Sequence, residues 1–210
     1  MLESGIVAYG MGIDTGRGMD ILPRQQVCGT MDSHLFHMRR MIIRPTIEDD
    51  WAALKAVRLA ALLDAPTAFG VSHQKAAAQT EAQWRERAAA ETASRPKTAF
   101  WLAFDEAVSG DAIGMIGAGV DGQGHYNLIG MWVTPVQRGS GAARQLVEAV
   151  KARAVELGHR RIVLDVAPEN ARAARFYQNQ GFVFIDEWEP LASHPEIQVQ
   201  KMEWLAPQAT

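Results

Sequence analysis

The chain has 210 residues, 48% of them hydrophobic and 21% charged, with a formal net charge of −3. This is the composition of one globular domain with room for a real core, and it carries no overall basic footprint for nucleic acid. A single cysteine, Cys28, excludes an intrachain disulfide and a cysteine-built zinc cluster, and no apolar run reaches the ~18 residues that span a bilayer. The start also lacks the basic and apolar regions of a signal peptide, so the expected setting is cytoplasmic, with no membrane partner.

Residues 1–38 hold Gly5, Gly10, Gly12, Gly16, Gly18 and Gly29 and show no sustained period of two or 3.6. They read as a flexible N-terminal extension, with the folded domain over 39–206. Within them "GMGIDTGRG" lacks the spacing and the leading strand of a dinucleotide fingerprint. His34 and His37 lie three apart without further ligands nearby, so no metal site is expected.

From Met41 the patterning sharpens. "MIIRP" reads as a short strand stopped by Pro45. "TIEDDWAALKAVRLAALLDAP" reads as a helix capped by Thr46, with acidic residues in its first turn. Its apolar residues Trp51, Leu54, Val57, Leu59, Ala61 and Leu62 recur at helical spacing. "AFGVS" reads as a loop, and "TEAQWRERAAAET" as a second helix with Thr80 as cap and Trp84 facing inward. Three strands follow, "TAFWLAFDE", "DAIGMIGAGVD" and "HYNLIGMWVTP", joined by the turns "AVSG" and "DGQG" into an antiparallel meander. "GAARQLVEAVKARAVELG" is a helix with Leu146, Val150 and Val155 on one side and Gly158 at its C-terminal end. "RRIVLDVAPEN" has the almost wholly apolar run of a strand buried on both faces. "NARAARFYQNQG" is a short helix closed by Gly181, and "FVFIDEW" and "EIQVQKMEWL" are final strands. The order describes an α/β (α+β) chain with a mixed sheet.

Within "VTPVQRGSGAARQLVEAV", residues 133–150, a glycine-rich turn sits where a strand hands over to a helix. Helix N-termini carry unpaired N–H groups and partial positive charge, so such a turn suits phosphate, and Gly139 and Gly141 let an anion approach the backbone. Arg138 adds a cation at the rim. Ala143 and Arg144 stand where a nucleotide P-loop has Lys and a hydroxyl. A tight structural turn is the competing reading.

The turn and a second motif together resemble the acyl-CoA signature of the GNAT superfamily of N-acetyltransferases. Arg138, Gly141 and Ala143 fit the first motif, preceded by Val133 and Pro135. "NARAARFYQNQGF" supplies Asn170, Ala173, Phe176-Tyr177 and Gly181-Phe182 for the second. The resemblance covers about Arg39 to Leu205. It implies a mostly antiparallel sheet of six to seven strands with helices on both faces. It implies acetyl-CoA as co-substrate, without a metal, and is compatible with a homodimer. By the same resemblance the N–H groups of Gly139, Ser140, Gly141, Ala142 and Ala143 cradle the pyrophosphate. Arg138 contributes through its backbone and local charge rather than one fixed salt bridge. Met131, Trp132 and Val133 pair with the pantetheine arm as an added strand, with Asn170, Ala173 and Tyr177 also around it.

Tyr177 is the catalytic candidate, because a phenol can protonate a departing thiolate; a ring packed in the core is the plain alternative. Phe176 reads as core, and Asn170 serves equally as the cap of its helix. The general base is open: Asn127, which cannot take a proton, aligns with a glutamate of some relatives, which leaves His125 or a water chain. His73, His159 and His194 read as ordinary surface residues. Acceptor-wall candidates are Phe69, Trp84, Trp132 and Trp188, with Glu81, Glu187 and Glu189 able to attract a cationic amine. The expected reaction is direct attack by a primary amine, preferably of a small molecule, in a ternary complex. A protein α-amine or lysine as acceptor, or a CoA-binding regulatory module without chemistry, are the alternatives.

Overall fold

The computed structural model describes residues 40–89, 98–106 and 110–207. The expectations for residues 1–38, Cys28, His34 and His37 among them, and for the turn residues 107–109, lie outside these. The elements are β1 (Met41–Pro45), α1 (Trp51–Asp64), α2 (His73–Ala77), α3 (Glu81–Ala88), β2 (Ala99–Asp105), β3 (Ala112–Val120), β4 (Tyr126–Val133), α4 (Ala142–Glu156), β5 (Arg161–Val166), α5 (Ala171–Gln178), β6 (Val183–Leu191) and β7 (His194–Leu205). Among the described residues the strands form one seven-stranded sheet in the order β1-β2-β3-β4-β5-β7-β6. Its pairings are antiparallel except for β4 with β5, which the α4 crossover makes parallel.

Each face of the sheet has its own core. On β2, Trp101 and Ala103 point into one cluster with Leu146, Val147, Val150 and Ala154 of α4 and Ala173 and Tyr177 of α5. Phe100 and Leu102 point the other way, against Leu54, Val57, Ala61 and Leu62 of α1 and Trp84 of α3. Trp84 is fully buried, and Thr80 caps its helix by accepting from Gln83 N while Gln83 Oε1 accepts from Thr80 N.

Three local expectations need correction. Thr46 does not cap α1: its N–H and hydroxyl both donate to Phe100 O, which prolongs the β1–β2 pairing by a residue. A 3₁₀ turn at Glu48–Asp50 intervenes, and Asp50 accepts from Ile47 N at 2.8 Å while Arg44 grips its carboxylate at 2.6 and 2.7 Å. Val155 is exposed, and Ala154 fills that layer of α4 instead. The loop after α1 contains the five-residue α2, capped by Ser72 accepting from Lys75 N, too short to show a period.

Candidate active site

β4 and β5 share only two residue pairs, Tyr126↔Ile162 and Asn127↔Val163, although the strands run on to Val133 and Val166. Past Asn127 no ladder links them, so the facing backbone groups of β4 are left to another partner. The parting coincides with a bulge. Between the pairings Gly117↔Ile129 and Met115↔Trp132, β4 takes three steps to two on β3. Gly130, at φ +60, absorbs it, and a Cβ there would lie 3.0 Å from Arg58 Nη1. Arg58 is itself buried, its guanidinium 4.7 Å from the centre of the Phe69 ring.

The glycine turn lies at the end of β4. A 3₁₀ turn over Pro135–Gln137 leads to Gly139 at φ +88 and Gly141 at φ +93, the latter being the N-cap of α4. An added Cβ would meet nothing within 4 Å at either position. The glycines are therefore demanded by backbone conformation, and the space before the first amides of α4 is open. Ala142 N reaches Ser140 Oγ only at 3.4 Å. An open helix N-terminus with positive-φ glycines fits a pyrophosphate.

Arg138 departs from the expectation of a merely local charge. Its side chain is buried and its guanidinium donates to Asp64 Oδ2 and, at 3.3 Å, to Val133 O. Trp132 Nε1 donates to the same Asp64 oxygen at 2.9 Å. Asp64, the last residue of α1, thus ties α1 to the tip of β4 and to the turn. Nothing in the sequence singles it out, since a polar residue ending a helix is ordinary.

Asn170 caps α5, accepting from Ala173 N at 3.1 Å. Tyr177 is fully buried, edge-on to Phe176 and Phe182 at 5.0 and 5.6 Å. It belongs to the cluster that also holds Val133 and Val166, the ends of the two parting strands. Asn127 donates to Asp121 Oδ2 at 2.8 Å and to His125 O at 3.0 Å, and His125 Nδ1 lies 3.4 Å from Asp121 Oδ2. Asn127 therefore braces the turn before β4.

A cavity of about 630 Å³ opens beside the parted strands, lined by 64–68 from the end of α1, 167–170 after β5, and Trp188, Glu196, Ile197 and Gln198. Of the expected acceptor walls only Trp188, half exposed, reaches it. Phe69, Trp84 and Trp132 are core residues. Of the expected acids, Glu81 pairs with Arg85 at 2.8 Å and Glu187 lies 3.8 Å from Arg161. Glu189 sits close to Asp165, which accepts from Lys201 Nζ at 2.9 Å. Burial, and next the Asp165 carboxylate, push the Glu189 carboxyl above the ordinary glutamate range. The acids that line the cavity are Asp64, Glu169 and Glu196. Among the described residues no group of three or more His, Cys, Asp or Glu is arranged to hold a metal ion, and no helix is long and apolar enough to cross a membrane.

The profile of the acetyltransferase (GNAT) family matches residues 59–182, more than half of the chain. The fold is shared with a GCN5-related N-acetyltransferase from Kribbella flavida, at 22% identity and a TM-score of 0.60, over 79% of this chain and 97% of that one. A GNAT-family acetyltransferase from Streptococcus pneumoniae is similar at 23% identity and a TM-score of 0.58, over 80% and 100%. An acetyltransferase from Salmonella typhimurium, solved with acetyl-CoA, is similar at 18% identity and a TM-score of 0.57, over 81% and 96%. No curated protein matches the chain significantly. The chain belongs to the acetyltransferase (GNAT) family. Family membership makes it an acetyltransferase.

Proposed function

We propose that this protein acetylates a primary amine of a small molecule in the cytoplasm, by direct attack within a ternary complex. The observation that carries the reading is the parting of β4 and β5 after Asn127, with an open glycine N-terminus at one end and a cavity beside it. The amides of Gly139, Gly141, Ala142 and Ala143 would hold the pyrophosphate, Ser140 N being engaged by Gln137 O at 3.2 Å, and Arg138, fixed by Asp64, would set the shape of that turn. The unpaired edge of β4 at Met131, Trp132 and Val133 would take the pantetheine arm as an added strand, beside Asn170 and Ala173. Bound acetyl-CoA supplies the acetyl group as a thioester. A backbone N–H near Val133 polarises the thioester carbonyl, a donor of the kind worth roughly 3–4 kcal/mol of barrier. The amine nitrogen forms the new C–N bond as the C–S bond breaks. The amine's proton leaves to water, since His125 lies beside Asp121 at the opposite end of β4 from Val133, and Tyr177 gives a proton to the departing thiolate.

The cavity favours a small acceptor over a protein chain. About 630 Å³ lies within the range of small-molecule sites, roughly 300–1,000 Å³. The test is twofold. Acetyl-CoA in large excess over its Kd should raise Tm by several degrees, since it binds the folded form alone. Thiol release on a panel of amines should then identify a small acceptor. An unchanged Tm at millimolar acetyl-CoA would sink the reading.

A further inference from the structure

Among the described residues, the walls of the 630 Å³ cavity carry three carboxylates, Asp64, Glu169 and Glu196, and no Lys, Arg or His. Asp64 already faces the guanidinium of Arg138. Glu169 and Glu196 bring negative charge that no cation among the described lining residues offsets. The two belong to different elements, the β5–α5 connection and β7, so the fold brings them to one space rather than the sequence. Trp188 on β6 lines the same cavity, half exposed, its indole N–H turned back to Asp186 Oδ1 at 3.1 Å. An indole ring suits an alkyl chain or a cation. The cavity is linked to both parted strands, because Ala167 follows the last residue of β5 and Asp64 accepts a hydrogen bond from Trp132 on β4.

The chemistry restricts what such walls can hold. An amine attacks only after losing its proton, and its product is a neutral amide. A monoamine therefore gives up its positive charge on the way to the transition state, and with it the attraction to Glu169 and Glu196. An acceptor with a second amino group keeps one ammonium through the whole reaction. We infer that the acceptor is a small organic di- or polyamine, one nitrogen of which is acetylated while another stays cationic against Glu169 and Glu196. The inference rests on the amine-acetylation reading above and narrows it.

The test compares cadaverine and spermidine with n-pentylamine and δ-aminovalerate, using thiol release from acetyl-CoA by the full-length protein. These probes share a primary amine on a short chain and differ in the charge at the far end. The two polyamines should exceed n-pentylamine in kcat/KM by about tenfold or more at low salt, and the margin should shrink as salt screens the carboxylates. δ-Aminovalerate should be the poorest. The double variant Glu169→Gln/Glu196→Gln should collapse the ratio of cadaverine to n-pentylamine through KM, with the Kd for acetyl-CoA unchanged. Both side chains are exposed at the cavity wall, so the variant should fold. Equal turnover of cadaverine and n-pentylamine would overturn the inference, as would a preference that survives the double variant. So would acetyl-CoA binding with no turnover of any of these amines, which leaves the co-substrate reading standing. Failure of acetyl-CoA to bind at all would remove both.

Discussion

A single carboxylate oxygen, Asp64 Oδ2, accepts hydrogen bonds from Arg138 and from Trp132, 74 and 68 residues away in sequence. Removing it leaves a buried guanidinium and a buried indole N–H without that acceptor. Asp64→Ala should cost about 2 kcal/mol, seen as a Tm lower by about 4–8 °C, and should weaken acetyl-CoA binding as the turn loses its anchor. A variant with normal Tm and normal affinity would show that the pair shapes nothing. Tyr177→Phe retains the ring contacts with Phe176 and Phe182 and deletes only the hydroxyl. It should fold and bind acetyl-CoA normally, and lower kcat and kcat/KM together by roughly tenfold or more. Parent turnover with chemistry rate-limiting would return Tyr177 to the core and hand protonation to water. Asp50 provides the pH signature. The hydrogen bonds from Arg44 hold its carboxyl below the usual aspartate range. A carboxyl lowered in the folded state adds stability above its unfolded value near 3.9, and loses it as pH falls through the folded value. Asp50→Asn should therefore melt below the parent at neutral pH, with the gap closing below about pH 4. A gap independent of pH would show that the ion pair with Arg44 is not what Asp50 contributes.

At the scale of elements, α4 carries the anion-binding role through its first turn alone. Gly141→Val forces a β-branched residue to φ +93, a strain of about 1–2 kcal/mol, and puts methyl groups where the backbone is open. Gly158→Val is the matched control. It imposes a like strain at φ +83, also with nothing within 4 Å, at the other end of the same helix. Calorimetry should show acetyl-CoA affinity reduced strongly in the first variant and little changed in the second. Equal losses would mean that the turn acts through helix stability only. β4 likewise divides its work: Tyr126 and Asn127 pair with β5, and the bulge at Gly130 turns the remainder away from it.

At the scale of the molecule, the sheet separates two cores, and the parting of β4 from β5 opens it between them. The first described strand, β1, is an edge strand paired with β2 alone. A chain beginning at Met38 keeps every pairing and both clusters described for residues 40–207, and the family match at 59–182 lies well inside it. We propose that such a chain melts within a few degrees of the full one and binds acetyl-CoA equally. A Tm lower by ten degrees, or lost binding, would assign residues 1–37 a structural role.

What the sequence by itself determined is what short-range physics controls. The apolar runs bounded by turn residues at 99–105, 112–120 and 126–133, the helical spacing of Leu146 and Val150, and the glycines that must take positive φ are all local properties. They placed the strands and the longer helices within a few residues, together with the glycine turn. Tertiary structure alone decided the rest. The Asp64–Arg138 bond closes a loop of over seventy residues, the parting of β4 and β5 depends on a bulge, and the acidic cavity joins four separate segments. Aromatic residues made the limit plain. Phe69, Trp84, Trp132 and Trp188 look alike in a sequence, yet three fill a core and one faces the cavity, because burial depends on which elements pack above a residue rather than on its neighbours in the chain.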